Sequence, residues 1–206
     1  MVDATTLIAV GVAFWVIAAS PGPANISNAA IAMRYGRRAS VIYGLGLSVA
    51  LVFWGVLAAT GMGAVLQASA WLLVVLKLLG GGYLLWLAWQ SGRSALRTRD
   101  TAVAEIGAGR WFWRGVILNL SNPKSVIAWM AALSMGLNPS DTVVSVLVTT
   151  LVCVAVAFLN NLSYSLLFSM GGMMALYRRG RRWIEGATAA LFATGGLALI
   201  RSAVSR

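Results

Sequence analysis

The chain has 206 residues, 60% of them hydrophobic and only 10% charged, with a formal net charge of +11, one cysteine and no histidine. A soluble domain of this length carries roughly 25% charged residues, so this composition, with a mean hydropathy of +0.83, excludes a water-soluble globule and indicates a polytopic membrane protein. The arginines stand in three short clusters between apolar runs, the arrangement of a topology signal and not of a nucleic-acid surface, and the lone Cys153 excludes an internal disulfide.

Hydropathy and breakers predict six membrane helices. The opening "MVDATTLIAV" lacks a basic segment, so no cleaved signal peptide is expected. The first span runs from about Leu7 to Met33 and is broken at Pro21-Gly22-Pro23, inside "SPGPANIS". Those prolines remove two amide donors, and irregular backbone at membrane depth is tolerated only where protein buries it or it lines a watery cavity. Ser20, Asn25, Ser27 and Asn28 supply polar company for such a cavity. The second span covers about Ala39 to Met62 and carries a small-residue stripe, Gly44, Ser48, Gly55 and Ala59, suited to close packing. A tight turn is expected in "GMGAVLQAS" before the third span, Trp71 to Gln90.

The fourth span, Trp113 to Met135, holds "LSNPKSVI", a second proline break, and "GLNPSD" ends it. The fifth begins near Thr142, but the charge-free run continues to Tyr177. A helix of that length reaches about 50 Å against a bilayer core of roughly 30 Å, which calls for a tilt, an interruption or a Met-rich interfacial tail. Asn160, Asn161 and Tyr164 inside it either line a cavity or pair between helices. The sixth span covers about Ile184 to Ile200. Trp71, Trp86, Trp89, Trp111 and Trp113 cluster near span ends and read as interfacial anchors. The arginine clusters at 34–38, 93–114 and 178–182 place those loops in the cytoplasm and both termini outside, with Arg201 and Arg206 departing from the pattern.

The two breaks match in position, and "LLGGGYLLWLA" in the third span echoes "FATGGLALIRSA" in the sixth. An odd number of spans per half requires the second half to be inverted. The expected fold is therefore all-α and transmembrane: one domain over 1–206, with six helices in two inverted three-helix repeats, helices 1 and 4 broken at the proline motifs. The repeats cover about 5–92 and 110–202 and are joined by a cytoplasmic loop at 93–110. Discontinuous helices at matching positions point to the binding site of a secondary transporter.

Lys77 and Lys124 lie about 10 Å and 16 Å into the third and fourth spans. A lysine in the bilayer is a functional candidate, although Lys77 also has the reach to snorkel outward. Asp3, Asp100, Glu105, Asp141 and Glu185 all read as loop or helix-end residues, so no carboxylate faces either lysine. This favours a substrate carboxylate, and a zwitterionic, mainly neutral cargo over a cationic one. A lysine deprotonated by desolvation is then the candidate proton carrier.

These motifs resemble the LysE/RhtB family of amino-acid exporters. "SPGPANIS...YGRRASVIYGLGLSVAL" is similar to its opening, "LKLLGGGYLLWLAWQSGRS" to its third span, and "FWRGVILNLSNPKSVIAW" to its fourth. The likeness is close over residues 5 to 135 and looser beyond. It implies a bacterial inner-membrane exporter of amino acids or derivatives, with six helices in two inverted triplets. Protons are the expected coupling ion, no cofactor or metal is expected, and a homodimer is left open. It assigns Pro21, Gly22, Pro23, Lys77, Asn122, Pro123 and Lys124 to the site, beside Ser20, Asn25, Asn28, Asn161 and Tyr164 from the residue reading. Ala24 stands where the family has asparagine directly after the second proline, and Ser40 where glycine is common. A metal exporter lacks ligands here and a thiol oxidoreductase lacks paired cysteines; a non-transporting membrane protein leaves both lysines and both breaks unexplained.

Overall fold

A computed structural model describes residues 3–68, 70–96, 109–136 and 142–204, and the described residues form helices and turns with no strand. Helix α1 (Ala4–Ala19) starts at Asp3, whose carboxylate accepts the Thr6 amide at 2.6 Å. That bond holds the Asp3 carboxyl below the usual carboxylate range. The helix stops at Ser20, because Pro21 and Pro23 cannot donate to the carbonyls of Ile17 and Ala19. Helix α2 (Pro23–Ala68) restarts the chain, with proline at its first position, where the missing N–H costs nothing.

Gly36, at φ 84° and ψ 174°, divides α2 into two legs, 23–35 and 37–68. The connection between the first two predicted spans is therefore a one-residue hinge and not a charged loop. Arg34, Arg37 and Arg38 flank it on helical backbone. The turn expected in "GMGAVLQAS" is also displaced: helix continues to Ala68 and α3 (Ala70–Leu96) begins two residues on.

Helices α4 (Trp111–Leu120) and α5 (Pro123–Gly136) form the second broken span, interrupted at Ser121-Asn122. Helix α6 (Val143–Phe168) is shorter than the charge-free run, which resolves the length problem. After a turn with Gly172 at φ 83°, the methionines begin α7 (Met173–Val204). The arginines at 178–182, expected in a loop, lie on the first turns of this helix. Among the described residues, three stretches are long and apolar enough to cross a membrane, Pro23–Gly61, Val143–Phe168 and Met173–Val204, and α1 and Lys124–Leu133 are shorter apolar helices. The "GLNPSD" stop after Gly136 and most of the 93–110 loop fall outside the described residues.

Packing rests on close backbone approach. A Cβ on Gly46 would lie 2.0 Å from the Phe112 carbonyl oxygen of α4, and one on Gly115 would lie 2.3 Å from that of Tyr43. The predicted stripe does pack, though against several neighbours: Gly44 meets Ser165 of α6 and Gly55 meets the Trp129 ring of α5. Helices α3 and α7 cross where Gly81 and Gly196 approach each other's carbonyls reciprocally, at 2.9 and 2.8 Å from the would-be Cβ atoms. Phe14 and Trp129, with ring centroids 4.8 Å apart, centre a core with Leu133, Val146, Ala157 and the small filler Cys153. Large apolar groups such as Trp15, Phe53, Leu151 and Leu197 stand exposed on the outer surface. Trp71, Trp86, Trp89 and Trp113 are exposed, whereas Trp111 packs on Tyr35.

The Gly46 contact is backbone against backbone and has no side chain to swing aside. Gly46→Ala should cost about 1–3 kcal/mol, seen as a lower melting temperature in detergent. Gly82→Ala, with open space around it, should hold or raise that temperature, since helix propensity favours alanine.

Candidate substrate site

A helix that ends in a membrane leaves carbonyls without donors. At the end of α1 they are all engaged, by side chains from four places. Ser20 Oγ donates to Ile17 O at 2.7 Å. Asn25 Nδ2 donates to Ala18 O at 2.6 Å and to Ser20 O at 3.0 Å. Tyr164 of α6 donates its hydroxyl to Ala19 O at 2.8 Å. Lys124 of α5 donates its ammonium to Ser20 O at 3.0 Å and to Ser20 Oγ. An ammonium is favourable there, since a helix C-terminus carries partial negative charge.

The second break is capped locally and differently. Asn122 accepts the Lys124 amide on its side chain at 3.1 Å, and its carbonyl accepts the Ser125 amide at 3.0 Å. This sets Lys124 in the first turn of α5 with its side chain running to the other break. Gly22 permits the approach: a Cβ there would lie 3.3 Å from Nζ. The two interruptions thus meet at one ammonium.

Between them lies a cavity of about 40 Å³, lined among others by Gly22, Asn25, Asn122, Lys124, Asn160 and Asn161. Asn160 is 4% exposed. Its amide nitrogen donates to Asn25 Oδ1 at 3.3 Å and reaches Ala18 O at 3.5 Å. Both partners are acceptors, which fixes the orientation of the side chain and leaves Oδ1 buried with no hydrogen-bond partner. The Trp54 and Trp129 indole nitrogens are the other such side-chain atoms among the described residues.

The remaining predicted site residues divide. Pro21 and Tyr164 line a second cavity described below. Pro23 and Pro123 open α2 and α5. Asn28 is fully buried in a polar knot: its amide donates to Asn161 O at 3.0 Å and Ser165 Oγ at 3.2 Å, and Ser40 donates to its Oδ1 at 2.7 Å. Asn161 closes the knot through Ser48 at 2.9 Å while also facing the cavity. Ser40, noted as a departure from the family, is thus a tie between the two legs of α2. Lys77 is buried on α3 and is not among the residues lining the cavity.

Two residues escaped the sequence reading. Asn119 donates to Leu47 O at 2.7 Å, accepts Ser125 Oγ at 2.6 Å and lines the cavity; its only sequence signal is its place just before the break. Glu185, expected at a helix end, lies well inside α7 and is 4% exposed. It accepts Ser94 Oγ at 2.9 Å and is within Coulomb range of Arg181 and Lys124. The premise that no buried carboxylate faces the lysine is therefore corrected.

The family model of the LysE type translocator matches residues 15–203. The chain belongs to this family. Its relatives include the threonine efflux protein of Salmonella typhi, 30% identical over 190 residues that cover 89% of this chain and 91% of the relative. The threonine efflux protein of Escherichia coli K12 is 29% identical with the same coverage. The cysteine/O-acetylserine efflux protein of Klebsiella pneumoniae is 29% identical over 187 residues, covering 88% and 92%. No solved structure matches the chain. The LysE family comprises amino-acid efflux transporters, so this chain is a membrane transporter and not an enzyme.

Tyr164→Phe keeps the ring and removes one donor, leaving Ala19 O without its partner. The expected loss is about 1–3 kcal/mol, the cost of an unsatisfied buried acceptor, read as a lower unfolding temperature of the purified protein in detergent.

Proposed function

We propose that this LysE family member exports zwitterionic amino acids, with Lys124 receiving the carboxylate and Asn160 Oδ1 receiving the α-ammonium. The observation that carries this reading is the pairing of opposite needs on one cavity wall. Lys124 has three ammonium protons and uses two on Ser20, whereas Asn160 offers a buried acceptor with nothing to accept. A free amino acid supplies the complement of both. The names of the relatives make threonine the first candidate cargo, with cysteine and O-acetylserine next.

In this reading α1 with the first leg of α2, the second leg, and α3 form one three-helix repeat over about 5–92. Helices α4 with α5, α6 and α7 form its inverted partner over about 110–202. The breaks at corresponding positions and the reciprocal Gly81–Gly196 contact, which a two-fold axis would generate, support it. The termini lie outside the bacterial inner membrane and the arginine clusters inside. Export is driven by the proton gradient, with Lys124 as the candidate proton carrier. A second reading, cationic cargo, draws on one observation only, the buried Glu185 near the site.

Cells loaded through dipeptides and expressing the protein should release neutral amino acids, threonine foremost, faster than controls. Lys124→Ala should cut that release at least about tenfold, as expected for an uncompensated charge partner, with the protein still in the membrane. Preferential release of lysine or arginine would move the assignment to the second reading. In vesicles, Lys124→Arg should bind cargo yet lose its response to a proton gradient, because arginine stays protonated; a Lys124→Gln variant with unchanged coupling rules out the lysine as carrier.

A further inference from the structure

The export site does not use a second cavity of about 60 Å³, lined by the first leg of α2, the end of α6 and the start of α7. Tyr164, Phe168 and Tyr177 form one wall. The Tyr164 and Phe168 rings stack at 5.4 Å and 11°, and Tyr177 meets Phe168 edge-on at 5.7 Å. Arg178 and Arg181 form another. Arg181 is held in place: its guanidinium donates to Ser94 Oγ at 3.1 Å, and that hydroxyl donates on to Glu185. Arg178 is exposed. Asn25 lines both cavities, and the Asn25 and Tyr164 bonds to the end of α1 form the partition between them.

We infer that this second cavity is a loading site, where the cargo amino acid docks on the arginine-rich side before it passes the Asn25–Tyr164 partition to Lys124. The inference rests on the export reading above. Guanidinium groups bind carboxylates through paired N–H donors, and the aromatic faces attract an ammonium group by their quadrupole. A zwitterion with a small aliphatic body matches both walls. A neutral solute finds no use for the arginines, and an organic cation is repelled by them. Glu185 acts here as a positioning residue, fixing Arg181 through Ser94.

The test is equilibrium binding of radiolabelled L-threonine to the full-length protein purified in detergent, using Lys124→Ala so that the central site is silent. That protein should keep one weak threonine site per chain, which excess L-threonine displaces and L-threonine amide, lacking the carboxylate, does not. Adding Arg178→Gln, at an exposed position, should weaken this binding, and Arg178→Gln with Arg181→Gln should weaken it at least about tenfold, the worth of a charge-assisted hydrogen bond. Arg181→Lys keeps the charge and should restore part of it if the glutamine variant folds poorly. Absence of threonine binding in Lys124→Ala, displacement by the amide, or binding unaltered by Arg178→Gln would each overturn the loading site. Normal threonine export by Lys124→Ala would instead remove the central site, while the arginine variants still report on the second cavity.

Discussion

The structure turns on the carbonyl oxygens at the end of α1. In water, a helix broken by two prolines finds donors in solvent. In hydrocarbon each orphan carbonyl costs several kcal/mol unless the protein supplies a donor. Here Ser20, Asn25, Tyr164 and Lys124 do so for Ile17, Ala18, Ala19 and Ser20. The donors come from α2, α6 and α5 as well as from the break itself, so one local defect organises four segments of the chain. The polar cavity follows from the same requirement: groups that cap a broken helix from several sides must converge on it.

Such capping works only where the helices come close enough for short side chains to reach. Gly46 against Phe112, Gly115 against Tyr43 and Gly81 against Gly196 set backbone distances that no larger residue permits. Within membranes, where apolar burial gives helices little reason to prefer each other over lipid, such contacts and interhelical hydrogen bonds carry the association. The knot of Asn28, Ser40, Asn161 and Ser165 adds the second kind beside the first. Asn161 belongs to both the knot and the cavity, so the rigidity of the fold is transmitted to one wall of the site.

The sequence made the helices and both breaks legible, because apolar length and proline chemistry are local properties. Lys124 was legible for the same reason: a charge inside an apolar run is conspicuous. The turns were read less well. Gly36 acts through a positive φ that charge patterning around it conceals, and "GMGAVLQAS" contains glycines that stay helical. Site membership was least legible, since it depends on which face of a helix meets which neighbour. Asn28 and Asn25 are three residues apart, yet one is locked in a knot and the other borders two cavities. Asn160 and Asn161 are adjacent and differ in the same way: one leaves an oxygen unpartnered, and the other is spent on Ser48. Glu185 was misplaced because the start of α7, twelve residues earlier, carries charges that resemble a loop.

The partner of Lys124 bears on how a transporter of this kind works. A lysine paired with a buried carboxylate would be a strong, closed ion pair that a cargo carboxylate must break. A lysine facing a cavity with no acceptor would hold any anion too firmly to release it. Here the ammonium is hydrogen-bonded to neutral oxygens at a helix C-terminus, with the buried Glu185 within Coulomb range but not bonded to it, so its charge is stabilised without being cancelled. A carboxylate gains from displacing or sharing those oxygens, but only by the difference between two favourable states. Transport requires binding that is favourable on arrival and readily reversed on departure. On the proposed export reading, the broken helix therefore has a use that an intact one lacks: its freed carbonyls act as a resident stand-in for the cargo's carboxylate, keeping the site polar and easily exchanged between cycles.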